Sequence, residues 1–178
     1  QCKDYFYVKE FVMPFIRVAG DMTIALNSGS VNTAAEIEFP KLQEIGGTLT
    51  LGTNRNANNI TFPLLKKILG SCSVTTYKLK NDIEFTNLES IGTDGADAQI
   101  KFEIEATNIL CPKLKTINGK FDIATSSFMF DMEVDKVSYP NVESISENLS
   151  ITCPYSDFGS NGILSIDFSG LKSVKGIS

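Results

Sequence analysis

The residues best placed to do chemistry are two glutamates, Glu38 and Glu84, which occupy the same position in two copies of a repeated phrase. If that position faces outward on stacked strands, Thr61 stands between them and the two carboxylates lie roughly 10 Å apart. This distance is at the wide limit for an inverting glycosidase pair. A polysaccharide-active β-helix enzyme is therefore one alternative, although such catalysis needs its acids clustered on one face.

Other catalytic and cofactor chemistry finds little support in the sequence. The chain has no histidine, which removes Ser-His-Asp and Cys-His arrangements. With no Cys-x-x-Cys pair either, a conventional zinc site is not expected. Segment 93–98 contains two aspartates, but it lacks the terminal glutamate of a calcium loop and is typical of a turn. We predict no catalytic residue, no metal site and no cofactor, and hence a protein that is not an enzyme.

Charge and hydropathy limit the partners. The net charge of −5 argues against nucleic acid, whose phosphates call for a basic surface. No apolar run approaches the roughly 20 residues that span a bilayer, so no membrane-spanning segment is expected. The charged residues are scattered along the chain, as in the pair Lys66-Lys67, and no run of them resembles a polybasic tail.

The elements that position all these residues come from a repeated phrase, P-x-L-x-x-I-x-G-x-L, which recurs seven times. Two further apolar columns precede it, so that the unit reads I-x-F-P-x-L-x-x-I-x-G-x-L-x-I. Copies recur every 23 to 29 residues, which indicates the stacked coils of a solenoid. Four copies are clear and three are degenerate, and they start at Met13, Pro40, Pro63, Thr86, Pro112, Pro140 and Ser169.

Each part of the unit has a physical interpretation. The pieces I-x-F and L-x-I alternate with period two, as strands with one buried face do, and L-x-x-I turns a corner between them. Proline ends the first strand at a bend, and glycine is expected where the chain needs positive φ. The fold class predicted is mainly β, a right-handed parallel β-solenoid of about seven rungs and about 30 Å in height. In this alignment Val12 takes the place of the phenylalanine, and Gly176 that of the glycine.

The rest of the chain is assigned to loops and ends of a single domain, residues 1–178. Residues 1–12 are a possible N-terminal cap over the first coil, and the C-terminus falls inside a repeat, as in a piece of a longer chain. Exposed end coils also make an end-to-end dimer possible. The loops predicted between the repeat units are 27–36, 52–59, 75–82, 93–98, 124–136 and 152–165.

The four cysteines do not form a disulfide framework in this interpretation. Cys72 and Cys111 occupy apolar columns, so both are predicted to be free and buried. Cys2 and Cys153 are too far apart in the stack for a bridge.

The phrase L-x-x-I-x-G-x-L-x-I, over about residues 10–178, resembles the receptor L-domain, a relative of leucine-rich repeats. Its Leu and Ile columns hold apolar residues in all seven copies, and its Gly column matches in five, with Thr93 and Glu147 as the exceptions. Such domains occur in the ectodomains of insulin-receptor and epidermal-growth-factor-receptor type proteins, and similar repeats occur in bacterial and fungal surface proteins. The resemblance implies a secreted or cell-surface location. The chain lacks the flanking cysteine-rich modules of the receptors, which favours a stand-alone surface protein of bacterial type.

Candidate binding residues lie in the two longest loops. Segment 127–135 alternates strictly and places Phe128, Phe130 and Met132 on one face, opposite acidic residues. These side chains either pack an extra strand onto the solenoid or form an exposed strip that holds a partner. Tyr155 and Phe158, in the next long loop, allow the same two interpretations.

The function favoured by the sequence is a non-enzymatic surface or secreted module for binding or adhesion. It would recognise a protein or carbohydrate ligand through its inter-repeat loops, because function usually sits on loops held by a rigid scaffold. The alternatives are a structural spacer repeat within a larger surface protein and, second, the β-helix polysaccharide-active enzyme.

Overall fold

The computed structural model describes residues 10–26, 35–53, 57–76, 83–93, 98–104, 109–125, 133–134, 137–152, 162–163 and 165–178. These residues are mainly β, and they include no helix, let alone one long and apolar enough to cross a membrane. In chain order the strands are β1 (Glu10–Val12), β2 (Arg17–Val18), β3 (Met22–Leu26), β4 (Ala35–Glu38), β5 (Glu44–Ile45), β6 (Leu49–Thr53), β7 (Ala57–Thr61), β8 (Lys67–Ile68), β9 (Cys72–Thr76), β10 (Ile83–Glu84), β11 (Ser90–Ile91), β12 (Ala98–Ile104), β13 (Ile109–Leu110), β14 (Thr116–Ile117), β15 (Gly119–Thr125), β16 (Glu133–Val134), β17 (Val137–Ser138), β18 (Ser144–Thr152), β19 (Gly162–Ile163), β20 (Ile166–Asp167) and β21 (Ser173–Ile177).

The strands stack in parallel rows, which makes the fold a β-solenoid. One row runs β1-β4-β7-β10-β13, and β17 pairs with β20. A second row runs β2-β5-β8-β11-β14-β18 and a third runs β3-β6-β9-β12-β15-β18, with β21 added to β18. About four turns, from β4 to β15, form its regular centre. The predicted parallel β-solenoid is therefore confirmed.

The register shows that equivalent repeat positions lie directly on one another. Each pairing joins residues one whole repeat apart, so the apolar columns deduced from the sequence are columns of the fold. The I-x-F column contains Ile37, Ile60, Ile83 and Ile109; the corner column Ile45, Ile68, Ile91, Ile117 and Ile145; and the L-x-I column Leu49, Cys72, Ile100, Phe121 and Leu149.

A stack of phenylalanine rings runs through the regular centre. Phe39, Phe62 and Phe85 are all buried, and their neighbouring ring centroids lie 4.9 Å apart. The rings are nearly parallel, with interplanar angles of 3° and 8°. This spacing follows from the backbone, because neighbouring parallel strands lie about 4.8 Å apart and equivalent side chains inherit that distance.

In the coil formed by β13, β14 and β15, the aromatic position holds a small side chain and the L-x-I position holds a large one. Cys111 takes the aromatic position and Phe121 takes the position of Leu49, and both are buried. The ring of Phe121 meets Tyr139 edge-on, with centroids 5.2 Å apart. The Tyr139 hydroxyl donates to the carbonyl oxygen of Ile109 at 3.0 Å, so its buried polar atom is satisfied. A smaller residue at one column thus leaves room for a larger one at the next.

Two alignment predictions at the ends of the stack are wrong by one residue. Val12 pairs with Glu38, and the Met13 amide donates to the Glu38 carbonyl as that of Phe39 donates to Thr61. The phenylalanine position of the first coil therefore belongs to Met13. The turn of the first coil has one residue fewer than the turn of the second coil. Pro14 takes the position of Pro40, yet Val18 already pairs with Ile45.

The second of these errors lies in the last coil. Gly176 pairs with Asn148, and Ile177 pairs with Leu149, after a register shift in the ladder between β18 and β21. Ile177 therefore takes the L-x-I position, and Gly176 stands one position beyond the glycine column. Glu10–Val12, part of the predicted cap, is strand β1 and pairs with β4, whereas residues 1–9 lie outside the described residues.

Positive φ explains the glycine column at Gly119, as expected, but glycine has a different cause at Gly47 and Gly70. Positive φ is found at Gly92 (82°) and Gly119 (155°), whereas the backbones of Gly47 and Gly70 do not adopt it. A Cβ added at Gly70 would lie 2.6 Å from the carbonyl carbon of Gly47. Glycine is needed here because the backbones of successive coils approach too closely for a side chain.

Replacing Gly70 by alanine is expected to destabilise the fold by about 1–3 kcal/mol, the usual cost of forcing extra atoms into a packed region. Chemical unfolding measures the loss. Gly52→Ala is the matched control, since among the described residues no heavy atom lies within 4 Å of a Cβ there. It should leave stability unchanged or slightly raised. Equal losses in both variants would contradict the close-approach explanation.

The strands are longer than the predicted loop boundaries allowed. Gly52, placed at a loop start, lies inside β6, and β9, β15 and β18 also run on to a threonine beyond the L-x-I piece. The alternation predicted to resume after segment 93–98 is confirmed as β12. The threonines that end these strands are β-branched, and such residues favour the extended conformation.

Candidate functional site

The two segments that carry the candidate binding residues follow strands that pair with each other. Ala124 of β15 pairs with Thr152 of β18, and residues 126–132 and 153–161 follow these two strands. The strands that follow these segments are also paired, because β16 pairs with β19 through Glu133↔Gly162 and Val134↔Ile163. The strands that flank segment 126–132 therefore lie next to the strands that flank segment 153–161.

The predicted binding residues all belong to these two segments. Phe128, Phe130 and Met132 precede β16, and Tyr155 and Phe158 precede β19. All five lie outside the described residues, so their role as binding residues stays a prediction. What the structure adds is that the ends of the segments that carry them are paired at both sides.

The two glutamates that could act as a catalytic pair lie where the sequence placed them. Glu38 and Glu84 both pair with Thr61, one from each side, so the three residues form one column of the first row of strands. The carboxylates are therefore two strand spacings, roughly 10 Å, apart. Both are exposed. Among the described residues, no three potential metal ligands come together.

A line of charges follows the corner of the solenoid, and the sequence reading missed it. The residues at the two x positions of L-x-x-I stack coil on coil, and each coil carries one sign of charge there. Backbone amides link successive coils at this corner, with N···O distances of 2.8–2.9 Å from Gln43 to Lys172. We call this line the corner ladder; in chain order its charged residues are Arg17, Glu44, Lys66, Lys67, Glu89, Lys115, Glu143 and Lys172.

The signs in the corner ladder alternate from each coil to the next. At one end the Arg17 Nε lies 2.8 Å from Oε1 of Glu44, and at the other the Lys172 Nζ lies 2.8 Å from Oε2 of Glu143. The hydrogen bond from Lys172 lowers the pKa of the Glu143 carboxyl, and the charges of Lys172 and Lys115 add to the effect. Aligning the repeats on their isoleucine, and then reading the polar columns as well as the apolar ones, would have revealed the pattern.

Cys72 and Cys111 are free and buried, as predicted. Burial raises the pKa of the Cys72 thiol to about 12, and it raises that of Cys111 well above its usual value. Neither thiol has the low pKa and the exposure that a nucleophilic cysteine needs. Both act as small apolar side chains in the core.

Comparisons of this chain with protein-family models, with curated proteins and with solved structures gave no match.

Proposed function

We propose that the chain is a receptor L-domain-like, leucine-rich-repeat-like solenoid of seven right-handed coils. In this proposal it is a non-enzymatic module for binding or adhesion, at a cell surface or in a secreted protein. Its ligand would be a protein or a carbohydrate. The observation that supports this most is the pairing of β16 with β19, the strands that follow the two segments with the candidate binding residues. Each of the seven repeat copies contributes residues to the described strands.

The contrast between the packed columns of the repeat and the segments between its strands supports a binding role. The columns of the repeat serve almost entirely for packing, and 26 of the residues that the structure describes form one buried apolar cluster. Loops 126–132 and 153–161 lie outside these columns in the sequence pattern, and they contain large aromatic residues. Aromatic side chains are the usual anchors of protein interfaces, because they bury much area at little entropic cost. Loops held by a rigid framework are where such sites are commonly found.

The enzyme alternative finds less support. A general acid needs a carboxyl whose pKa is raised by burial or by a close second carboxylate. Glu38 and Glu84 are exposed on a sheet face, and Thr61 separates them. Should hydrolysis of a polysaccharide be detected, Glu38→Gln and Glu84→Gln would decide whether this pair carries it.

We expect the binding to depend on segments 126–132 and 153–161. The chain is immobilised and tested against glycan arrays and extracellular protein libraries. A variant with Phe128, Phe130, Met132, Tyr155 and Phe158 changed to serine should lose at least tenfold in affinity for any ligand found, because interface anchors typically contribute 2 kcal/mol or more each. Tyr77→Ser, in the segment between β9 and β10, is the matched control and should bind normally.

Two results would count against the proposal. If no ligand rises above background in either library, the structural spacer becomes the better account of the regular core. If a ligand is found and the five-residue variant binds it unchanged, binding uses another surface. The thermal unfolding of the variant should match that of the wild type, so that a loss of affinity is not a loss of fold.

A further inference from the structure

The coils of this solenoid are so alike that their apolar contacts do not distinguish the correct neighbour from a wrong one. Phe39, Phe62 and Phe85 present the same ring to their neighbours, and the isoleucine columns are equally uniform. A coil that stacks on the wrong coil, in the same chain or in another copy, therefore buries nearly the same apolar surface as in the native pairing. Repeat proteins are prone to such misassembly because folding can start at any coil.

The corner ladder distinguishes right pairings from wrong ones. In the native stack each coil meets a charge of opposite sign, as Glu44 meets Arg17 and Glu143 meets Lys172. If one coil were skipped, Lys66 would stack on Lys115, and Glu89 on Glu143. If a coil stacked on its own counterpart in a second copy, each charge would meet itself.

We propose that the corner ladder is a register device, which selects native coil stacking against coil skipping and against association between identical coils. Only a displacement by an odd number of coils brings opposite charges together. Identical association is a displacement of zero and skipping one coil is a displacement of two, so both place like charges about 4.8 Å apart. Opposite charges directly across strands stabilise their pairing, and like charges there destabilise it.

The exposure of these ion pairs favours a role in selecting the stacking register over a role in stabilising the fold. The Lys172 and Glu143 side chains are 73% and 46% exposed, and ion pairs this exposed contribute little to stability. Selection depends on the difference between attraction and repulsion, and it is repeated at every coil along the stack. The ladder should therefore change the outcome of folding more than it changes the melting temperature.

Refolding of two ladder variants tests the proposal. In the neutral variant, all eight charged residues of the corner ladder become glutamine. In the inverted variant, Arg17 and the four lysines become glutamate and the three glutamates become lysine, which keeps the alternation. Each protein is diluted from denaturant at low ionic strength, and size-exclusion chromatography measures the monomer fraction over a range of protein concentrations.

We expect the neutral variant to lose monomer several-fold to oligomers, while its purified monomer melts within a few degrees of the wild type. The neutral variant is more acidic overall than the wild type, so general charge repulsion would act against this loss. The inverted variant should refold like the wild type. Salt at 1 M should lower the wild-type monomer fraction, since it screens charges beyond about 3 Å.

Three results would overturn the proposal. The first is a neutral variant that refolds to the wild-type monomer fraction at every concentration. The second is an inverted variant that fails as the neutral one does, because the identity of the residues would then matter and the alternation would not. The third is a neutral monomer that melts far below the wild type, which would make the ladder a source of stability.

Discussion

Phe62→Ala is expected to lower the free energy of unfolding by about 3–5 kcal/mol, the range for removing a buried aromatic side chain. Phe62 is fully buried and stacks on Phe39 below and Phe85 above, each at 4.9 Å. Its removal leaves a cavity with a ring on both sides, and the backbone ladder on either side limits how far the coils can close on it. Stacked rings add about 0.5–1.5 kcal/mol per pair to their area burial.

Urea unfolding followed by circular dichroism measures this loss. Leu64→Ala is the control in the same coil, because Leu64 is 42% exposed and its truncation should cost well under 1 kcal/mol. Phe62→Leu should fall between the two, since it keeps most of the burial and loses the stacking. A Phe62→Ala variant as stable as the Leu64→Ala variant would contradict the central place given to the ring stack.

Alkaline pH is expected to unfold this protein through its buried thiols. Cys72 ionises near pH 9 in the unfolded chain and at about 12 in the folded one, because burial disfavours the thiolate. Burial also raises the pKa values of Cys111 and Tyr139 well above normal. Above pH 9 the unfolded state therefore binds fewer protons than the folded state, so stability falls as pH rises. Each thiol costs about 1.4 kcal/mol per pH unit above pH 9, and Tyr139 does so only above pH 10, where it ionises in the unfolded chain.

Urea unfolding at pH 8, 9, 10 and 11, with a reductant present, measures the slope. The Cys72→Val and Cys111→Ala double variant removes two of the ionising groups, so its stability should decline less steeply, whatever its value at pH 8. Tyr139→Phe should reduce the slope further, although it also leaves the Ile109 carbonyl without its hydroxyl donor. A double variant with the wild-type slope would show that the thiols do not control the alkaline transition.

The apolar columns of the fold could be predicted from sequence because each rests on a period. Ile60 stands 23 residues after Ile37, and the two pair directly in the sheet. The free, buried state of Cys72 and Cys111 followed from the same alignment. A column in a solenoid is fixed by its neighbours above and below, so one misplaced copy does not disturb the others.

The errors arose where the period is imperfect or where a residue type has two uses. The first turn is one residue short, so Met13 and not Val12 takes the phenylalanine position. Glycine serves both positive φ and close approach, and the sequence alone does not separate the two at Gly70. The corner ladder was missed because each charge was compared with its neighbours in sequence. In this fold each charge lies next to a charge of the neighbouring coil.

The candidate binding site was predictable only in outline. Long loops rich in aromatic residues could be recognised as departures from the repeat. The alternation over 127–135 allowed for a strand where β16 lies, but nothing in the sequence indicated that this strand would pair with the two-residue strand β19. The identity of the ligand lies one step further, in side-chain positions that no period dictates.

The alternating corner charges also limit how such a chain can change length in evolution. Repeat arrays grow and shrink when unequal recombination duplicates or deletes a unit. Loss of the single unit that contains Glu89 would set Lys66 against Lys115, whereas loss of the next unit as well would restore the opposition of Lys66 and Glu143. Descendants of this gene should therefore gain or lose internal units in even numbers, and an odd internal difference should be accompanied by a change of sign at the corner.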